Sequence, residues 1–140
     1  YGFQITALEL VRGVAAIANG GKLVTPHIAM LASSTPIVDI GLDDKKLQVI
    51  REGMRQGVLQ GIGGALNIPG VTVASKSGTA ELGVSKQLVN SWISGFFPYE
   101  SPRYAFAVIM EKGDRNNSFG AIFAARETLE WMRDNTEYTK

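Results

Sequence analysis

Hydrophobic and polar positions follow a helical period at both ends of the chain and a period of two in its middle. Behind Thr6, with Glu9 three positions on as a capping box, Leu8, Val11, Ala15 and Ala18 recur at helical spacing. Gly20-Gly21 stops that helix near Asn19, and its small residues predict close packing. Lys22-Leu23-Val24 then runs extended into Thr25-Pro26-His27. Residues 28 to 42 are weakly patterned, with Ser33-Ser34-Thr35-Pro36 reading as a loop and Ile37 to Ile40 as a short strand. Asp43 or Asp44 caps a second helix with Leu47, Ile50 and Met54 on one stripe, ending around Val58 to Gln60. Gly61, Gly63 and Gly64 follow as a flexible connection, and no Lys-Ser/Thr pair closes them at nucleotide-binding spacing.

The period then changes. Val71-Thr72-Val73 opens a β-branched strand that carries Lys76-Ser77-Gly78-Thr79, followed by a short loop from Leu82 to Leu88. Asn90 to Phe97 and Arg103 to Glu111 form a hairpin across Pro98-Tyr99-Glu100-Ser101-Pro102. Trp92 and Phe96 fall on one side of its first strand, Ile93 and Phe97 on the other. On the second, Tyr104, Phe106, Val108 and Met110 oppose Ala105, Ala107 and Ile109. A hairpin apolar on both faces needs cover on both faces. Lys112 to Asn117 is a polar loop, and Ser118 caps a last helix with Ile122, Ala125, Leu129 and Met132 as its stripe, before a tail that frays from Asp134. The expected fold class is α/β (α+β): an antiparallel sheet of three strands in sequence order, with helices on both faces.

Composition narrows the function classes without choosing one. The 140 residues are 45% apolar, enough for one domain or part of one. Fourteen basic and thirteen acidic residues nearly cancel and are scattered, so neither nucleic acid nor a membrane surface is implied by charge. The absence of cysteine excludes disulfides and thiolate chemistry. No apolar run approaches the roughly 20 residues of a membrane helix. Because Tyr1-Gly2-Phe3-Gln4 enters almost directly into helical periodicity, the chain is expected to be a piece of something longer. His27, the single histidine, has no second ligand at metal spacing and reads as structural; no metal or cofactor is expected.

Candidate chemistry concentrates in one stretch. The Lys76 ammonium, the Ser77 and Thr79 hydroxyls and the bare backbone at Gly78 suit a carboxylate, and a backbone N–H near Thr79 suits an oxyanion. The bland alternative is an ordinary strand end with a solvated lysine.

Ile68-Pro69-Gly70-Val71-Thr72-Val73-Ala74-Ser75-Lys76-Ser77-Gly78-Thr79-Ala80-Glu81 resembles the third active-site motif, Lys-Thr/Ser-Gly-Thr, of penicillin-binding protein transpeptidases. Ala18-Asn19-Gly20-Gly21-Lys22-Leu23-Val24 with Pro26-His27 resembles the segment before that motif in the high-molecular-weight class B members. Ser91-Trp92-Ile93-Ser94-Gly95-Phe96-Phe97-Pro98 resembles their next strand, and Gly120-Ala121-Ile122-Phe123 the start of their C-terminal helix. Together these blocks cover nearly the whole chain. Ser75 departs from the glycine usual before the lysine, and Gly61-Ile62-Gly63-Gly64-Ala65 departs from the usual Gly-Thr-Ala; neither removes a polar catalytic group.

The resemblance implies a serine enzyme that attacks the D-Ala-D-Ala end of a peptidoglycan stem peptide, releases D-Ala, and passes the acyl group to the amine of another stem. β-Lactams acylate the same serine. It places Lys76 in the carboxylate and proton-relay environment, gives Ser77 and Thr79 the substrate or β-lactam carboxylate, Gly78 the close approach, and the Thr79 N–H a share of the oxyanion hole. The family's nucleophile motif Ser-x-x-Lys and its second motif Ser-x-Asn are both missing from these residues. The chain is therefore expected to be the C-terminal part of a single transpeptidase domain and inactive alone, its parent anchored outside the cytoplasmic membrane. In the family two further strands precede these, so the edge at 103–111 is expected to self-associate or to pair with the N-terminal part. A related serine β-lactamase or β-lactam sensor, and a non-catalytic peptide-binding or structural module, are the alternatives.

Overall fold

The computed structural model describes residues 4–29, 36–117 and 119–138. Helix α1 (Ala7–Ala18) starts at the expected capping box: Thr6 Oγ1 accepts from the Glu9 N–H at 3.1 Å, and Glu9 accepts from the Thr6 N–H at 2.7 Å. Strands β1 (Lys22–Leu23) and β2 (Val38–Asp39) pair antiparallel as a separate small sheet. Of the loop expected at Ser33-Ser34-Thr35-Pro36, the first three residues lie outside the described ones, as do Tyr1 to Phe3. Helix α2 (Asp44–Leu59) is capped by Asp43, whose carboxylate accepts from the Lys46 N–H at 2.9 Å.

The main sheet is β3 (Ala74–Leu82), β4 (Leu88–Phe97) and β5 (Tyr104–Asp114), antiparallel and in sequence order, closed by α3 (Ala121–Asn135). The hairpin's two faces divide as the alternation predicts. Ile93 and Phe97 join a core with Val58, Leu66, Val73, Ala125 and Leu129, while Phe96 joins Val14, Ala18, Met54 and Ala74 under α1. Helices thus cover both faces. Among the described residues, β3 and β5 are the sheet's two edges.

Several local expectations are corrected. The buried residues of α1 are Val14, Ala16 and Ala18, with Leu8 on the solvent side, because the face that meets Phe96 carries Val14 and Ala18, flanked by Leu10 and Ile17. On α2 the stripe is Leu47, Met54 and Val58; Ile50 is exposed. The stretch Val71-Thr72-Val73 precedes the strand instead of opening it: the Thr72 carbonyl accepts from the Tyr99 N–H at 2.8 Å and the Val73 carbonyl from Arg55 at 2.8 Å, so neither joins the ladder.

Gly61, Gly63 and Gly64 are not a flexible connection but lie in and beside a 3-10 turn, Ile62–Leu66. A Cβ on Gly63 would sit 2.9 Å from the Gly57 carbonyl oxygen and 3.0 Å from Ser75 Oγ, so glycine serves close approach there. The polar loop begins later than Lys112, since β5 runs to Asp114. A one-residue excess in β5 opposite Val89–Ser91 marks a bulge; Lys112 there has φ +53°, and its N–H is taken by Asn90 Oδ1 at 2.9 Å. Helix α3 extends through Asp134 and Asn135, and its N-cap is Gly120. Ser118, the expected cap, lies outside the described residues.

Candidate active site

The Lys76-Ser77-Gly78-Thr79 run occupies the middle of β3, with Lys76 opposite Ser94, Ser77 opposite Ile93, Gly78 opposite Trp92 and Thr79 opposite Ser91. Strand alternation puts Lys76 and Gly78 on one face and Ser77 and Thr79 on the other. A cleft of about 830 Å³ opens on the α1 side, lined by Lys76, Gly78, Trp92 and Ser94 of the sheet and by Thr6 and Leu10 of the helix. A smaller hollow of about 420 Å³ opens toward α3, lined by Thr79, Ser91, Ile62, Phe123 and Arg126. Ser77 also contributes to the wall of the large cleft beside Lys76 and Gly78, whereas Thr79 borders the smaller hollow. What joins the two faces is the strand's outer edge.

That edge has a definite polarity. The Val73 carbonyl faces Arg55 on α2, the Ser75 carbonyl lies 3.3 Å from the position of a Cβ on Gly57, and the Ser77 carbonyl accepts from Lys76 Nζ at 2.5 Å. The Ala74 carbonyl instead faces Gly95 on β4. Odd-numbered peptide groups thus turn away from the sheet, and the N–H groups of Ser77 and Thr79 share that direction. An extended ligand laid along this edge meets those two N–H groups and both hydroxyls. Gly78, whose Cβ would meet only Trp92 Cβ at 3.6 Å, leaves the edge uncluttered.

Packing decides where the edge is open. Ala74 and Ser75 are buried, at 0% and 3% exposure, under α2 and the 3-10 turn, whereas Lys76, Gly78, Thr79 and Ala80 are exposed. Beyond them, Glu81 is held between Lys86 at 3.0 Å and Arg115 at 2.7 Å, and the Lys86 hydrogen bond pulls its carboxyl below the usual range. The cation that faces the cleft unencumbered by these pairs is Lys76. His27 stands apart, its Nδ1 3.1 Å from the Thr25 carbonyl oxygen.

Sequence reasoning passed over the residues that frame the strand. Arg55 carries no motif; its role appears only when α2 crosses Val73. Ser91 sat inside a recognised block, yet its contact with α3 depends on a turn whose geometry the sequence does not display. Gln4 to Ala7 line the cleft opposite Lys76, and their local pattern signals only a helix start.

Residues 1–129 match the model of the penicillin-binding protein transpeptidase domain. The chain is 31% identical over 137 residues to peptidoglycan D,D-transpeptidase PbpA of Mycobacterium tuberculosis, covering 86% of this chain and 27% of that protein. It is 28% identical over 149 residues to stage V sporulation protein D of Bacillus subtilis, covering 96% of this chain and 23% of that protein. The chain thus spans about a quarter of the length of the curated relatives it matches.

Among solved structures, the D,D-transpeptidase domain of a peptidoglycan glycosyltransferase from Eggerthella lenta superposes with a TM-score of 0.77 at 29% identity, covering 92% of this chain and 32% of that one. Penicillin-binding protein A of M. tuberculosis, as its penicillin G acyl-enzyme complex, gives 0.73 at 26% identity, with 96% and 33% covered. With its helices on both faces of an antiparallel sheet and a family match over most of its length, the chain belongs to the penicillin-binding protein transpeptidase domain family.

Proposed function

We propose that this chain supplies the carboxylate-binding wall of a peptidoglycan D,D-transpeptidase site, as the C-terminal part of a single transpeptidase domain. The observation that carries the reading is the open edge of β3 at Ser77 and Thr79, bordering a cleft that holds Lys76. In this reading the Ser77 and Thr79 hydroxyls donate to the terminal carboxylate of the stem peptide. The Thr79 N–H donates to the oxyanion formed as a serine attacks the penultimate D-Ala carbonyl. Lys76, on the cleft face, supplies positive charge near the nucleophile and helps relay its proton. D-Ala then leaves, and the amine of a second stem resolves the ester; a β-lactam enters the same cleft as a carboxylate-bearing mimic and acylates the serine. No serine in these residues has a lysine three positions on, so the nucleophile comes from outside them.

The same reading puts the parent protein at the outer face of the cell membrane; no helix among the described residues is long and apolar enough to cross one. It also gives the β5 edge a strand partner, either the N-terminal part of the domain or a second copy.

Labelled penicillin tests the reading. The 140-residue chain alone should form no covalent adduct, and the longer protein carrying Ser-x-x-Lys upstream should form one. Lys76→Ala in that protein should cut acylation by at least about a hundredfold while leaving the melting temperature unchanged. A stable adduct on the isolated chain, or full acylation of the Lys76→Ala protein, would refute it. Rapid hydrolysis of the adduct would favour the β-lactamase alternative.

A further inference from the structure

Helix α3 begins without a cap of its own. Its N-cap residue is Gly120, which has no side chain to offer, and the first orphan amide, the Ala121 N–H, is taken instead by Ser91 Oγ at 2.9 Å. Ser91 belongs to β4, thirty residues upstream. The fit is tight: a Cβ on Gly120 would lie 2.7 Å from that hydroxyl oxygen. Ser91 is also the register partner of Thr79, and the two side chains line the same hollow. The β5 bulge, whose Lys112 N–H is held by Asn90, falls at this level of the sheet. A bulge re-aims the chain beside it, and here it lies on the approach from β5 to the start of α3.

From this juxtaposition we infer that Ser91 is a positioning residue for Thr79. Through one hydroxyl it fixes the distance between the first turn of α3 and the pair Ser91–Thr79, and so the placement of the Thr79 hydroxyl on the open edge. Cross-strand neighbours in such a pair stand about 5 Å apart at Cβ, so a displacement of Ser91 passes directly to Thr79. A side chain that caps a helix from a neighbouring strand joins two elements through one atom, and the backbone ladder carries the link on to β3. The inference rests on the carboxylate role of Thr79 proposed above.

The test compares acylation of the nucleophile-bearing protein by penicillin G and by its methyl ester, which lacks the carboxylate. Ser91→Ala should slow acylation by the acid roughly tenfold, as expected for a sub-ångström misplacement, and the ester much less. The acid-to-ester rate ratio therefore falls. Ser91→Thr, which keeps the hydroxyl, should restore that ratio to within about twofold. Should Ser91→Ala not fold, Gly120→Ala is read in its place, because its methyl displaces the same hydroxyl. Equal slowing of acid and ester, no change in either, or a Ser91→Thr ratio as low as that of Ser91→Ala would overturn the inference. An unsubstituted protein that does not distinguish acid from ester would overturn the carboxylate role of Thr79 itself, and this inference with it.

Discussion

The two halves of β3 share one strand, one partner and one ladder, yet their outer edges meet opposite fates. At Ala74 and Ser75 the edge is sealed by α2 and the 3-10 turn, with the Val73 carbonyl just upstream bound by Arg55. From Ser77 to Thr79 no other element covers it: Gly78 and Thr79 are exposed, Ser77 is half-buried, and the Ser77 carbonyl is met only by the neighbouring Lys76 ammonium. An unpaired strand edge is ordinarily a liability that folds cover or twist away. Here the cover is applied over one half and withheld from the other, and the withheld half carries the lysine, hydroxyls and glycine. The sealed half supplies rigidity; the open half supplies the binding groups and little packing.

Breaking the sealed half should cost the most. Gly95 stands opposite Ser75, and a Cβ there would run into the Ala74 carbonyl and the Phe106 ring. Gly95→Ala is expected to destabilise the chain by about 3 kcal/mol, read as a lower urea midpoint. Arg55→Ala should come next, at about 1–2 kcal/mol, because it orphans the buried Val73 carbonyl. If both substitutions left stability unchanged, the division of the strand into a sealed and an open half would lose its energetic basis.

The smallest effect concerns pH at the hairpin beside the sealed half. Thr72 donates to Glu100 at 2.6 Å, and that hydrogen bond holds the Glu100 carboxyl below its ordinary value. A carboxylate depressed in the native state stabilises fully above its unfolded value, about pH 4.3, and loses that contribution as the pH falls through the lower native value. Glu100→Gln should therefore melt slightly below the parent chain at about pH 6, and the gap should narrow as the pH falls. A gap that widens on acidification would reverse the sign of this account.

Much of the fold could be read in advance because its signals are local. Thr6 with Glu9 and Asp43 before α2 fix helix starts through contacts three residues apart, and the two-sided alternation of Trp92–Phe97 sorts the hairpin's faces without outside information. What escaped depends on partners distant in sequence. Gly63 reads as flexible until Gly57 and Ser75 are seen against it, and Leu8 reads as core until Val14 and Ala18 are seen to be the residues that meet Phe96. The site showed the same limit. Lys76 to Thr79 could be located from the motif and its flanking blocks, but their division between two faces follows only from the register with β4. Ser91 over Ala121 follows from nothing shorter than thirty residues.

The placement of Lys76 and Thr79 on opposite faces bears on how this sequence can drift. A one-residue insertion or deletion in the irregular stretch 67–73 leaves the pairing of β3 with β4 untouched. The same change between Ala74 and Lys76 would exchange the faces, sending the ammonium toward α3 and away from the large cleft, with every residue of the motif still present. Length variation among functional relatives should therefore fall before Ala74 and after Leu82, and a homologue with an odd-length change inside β3 would keep the letters of the motif while losing its chemistry.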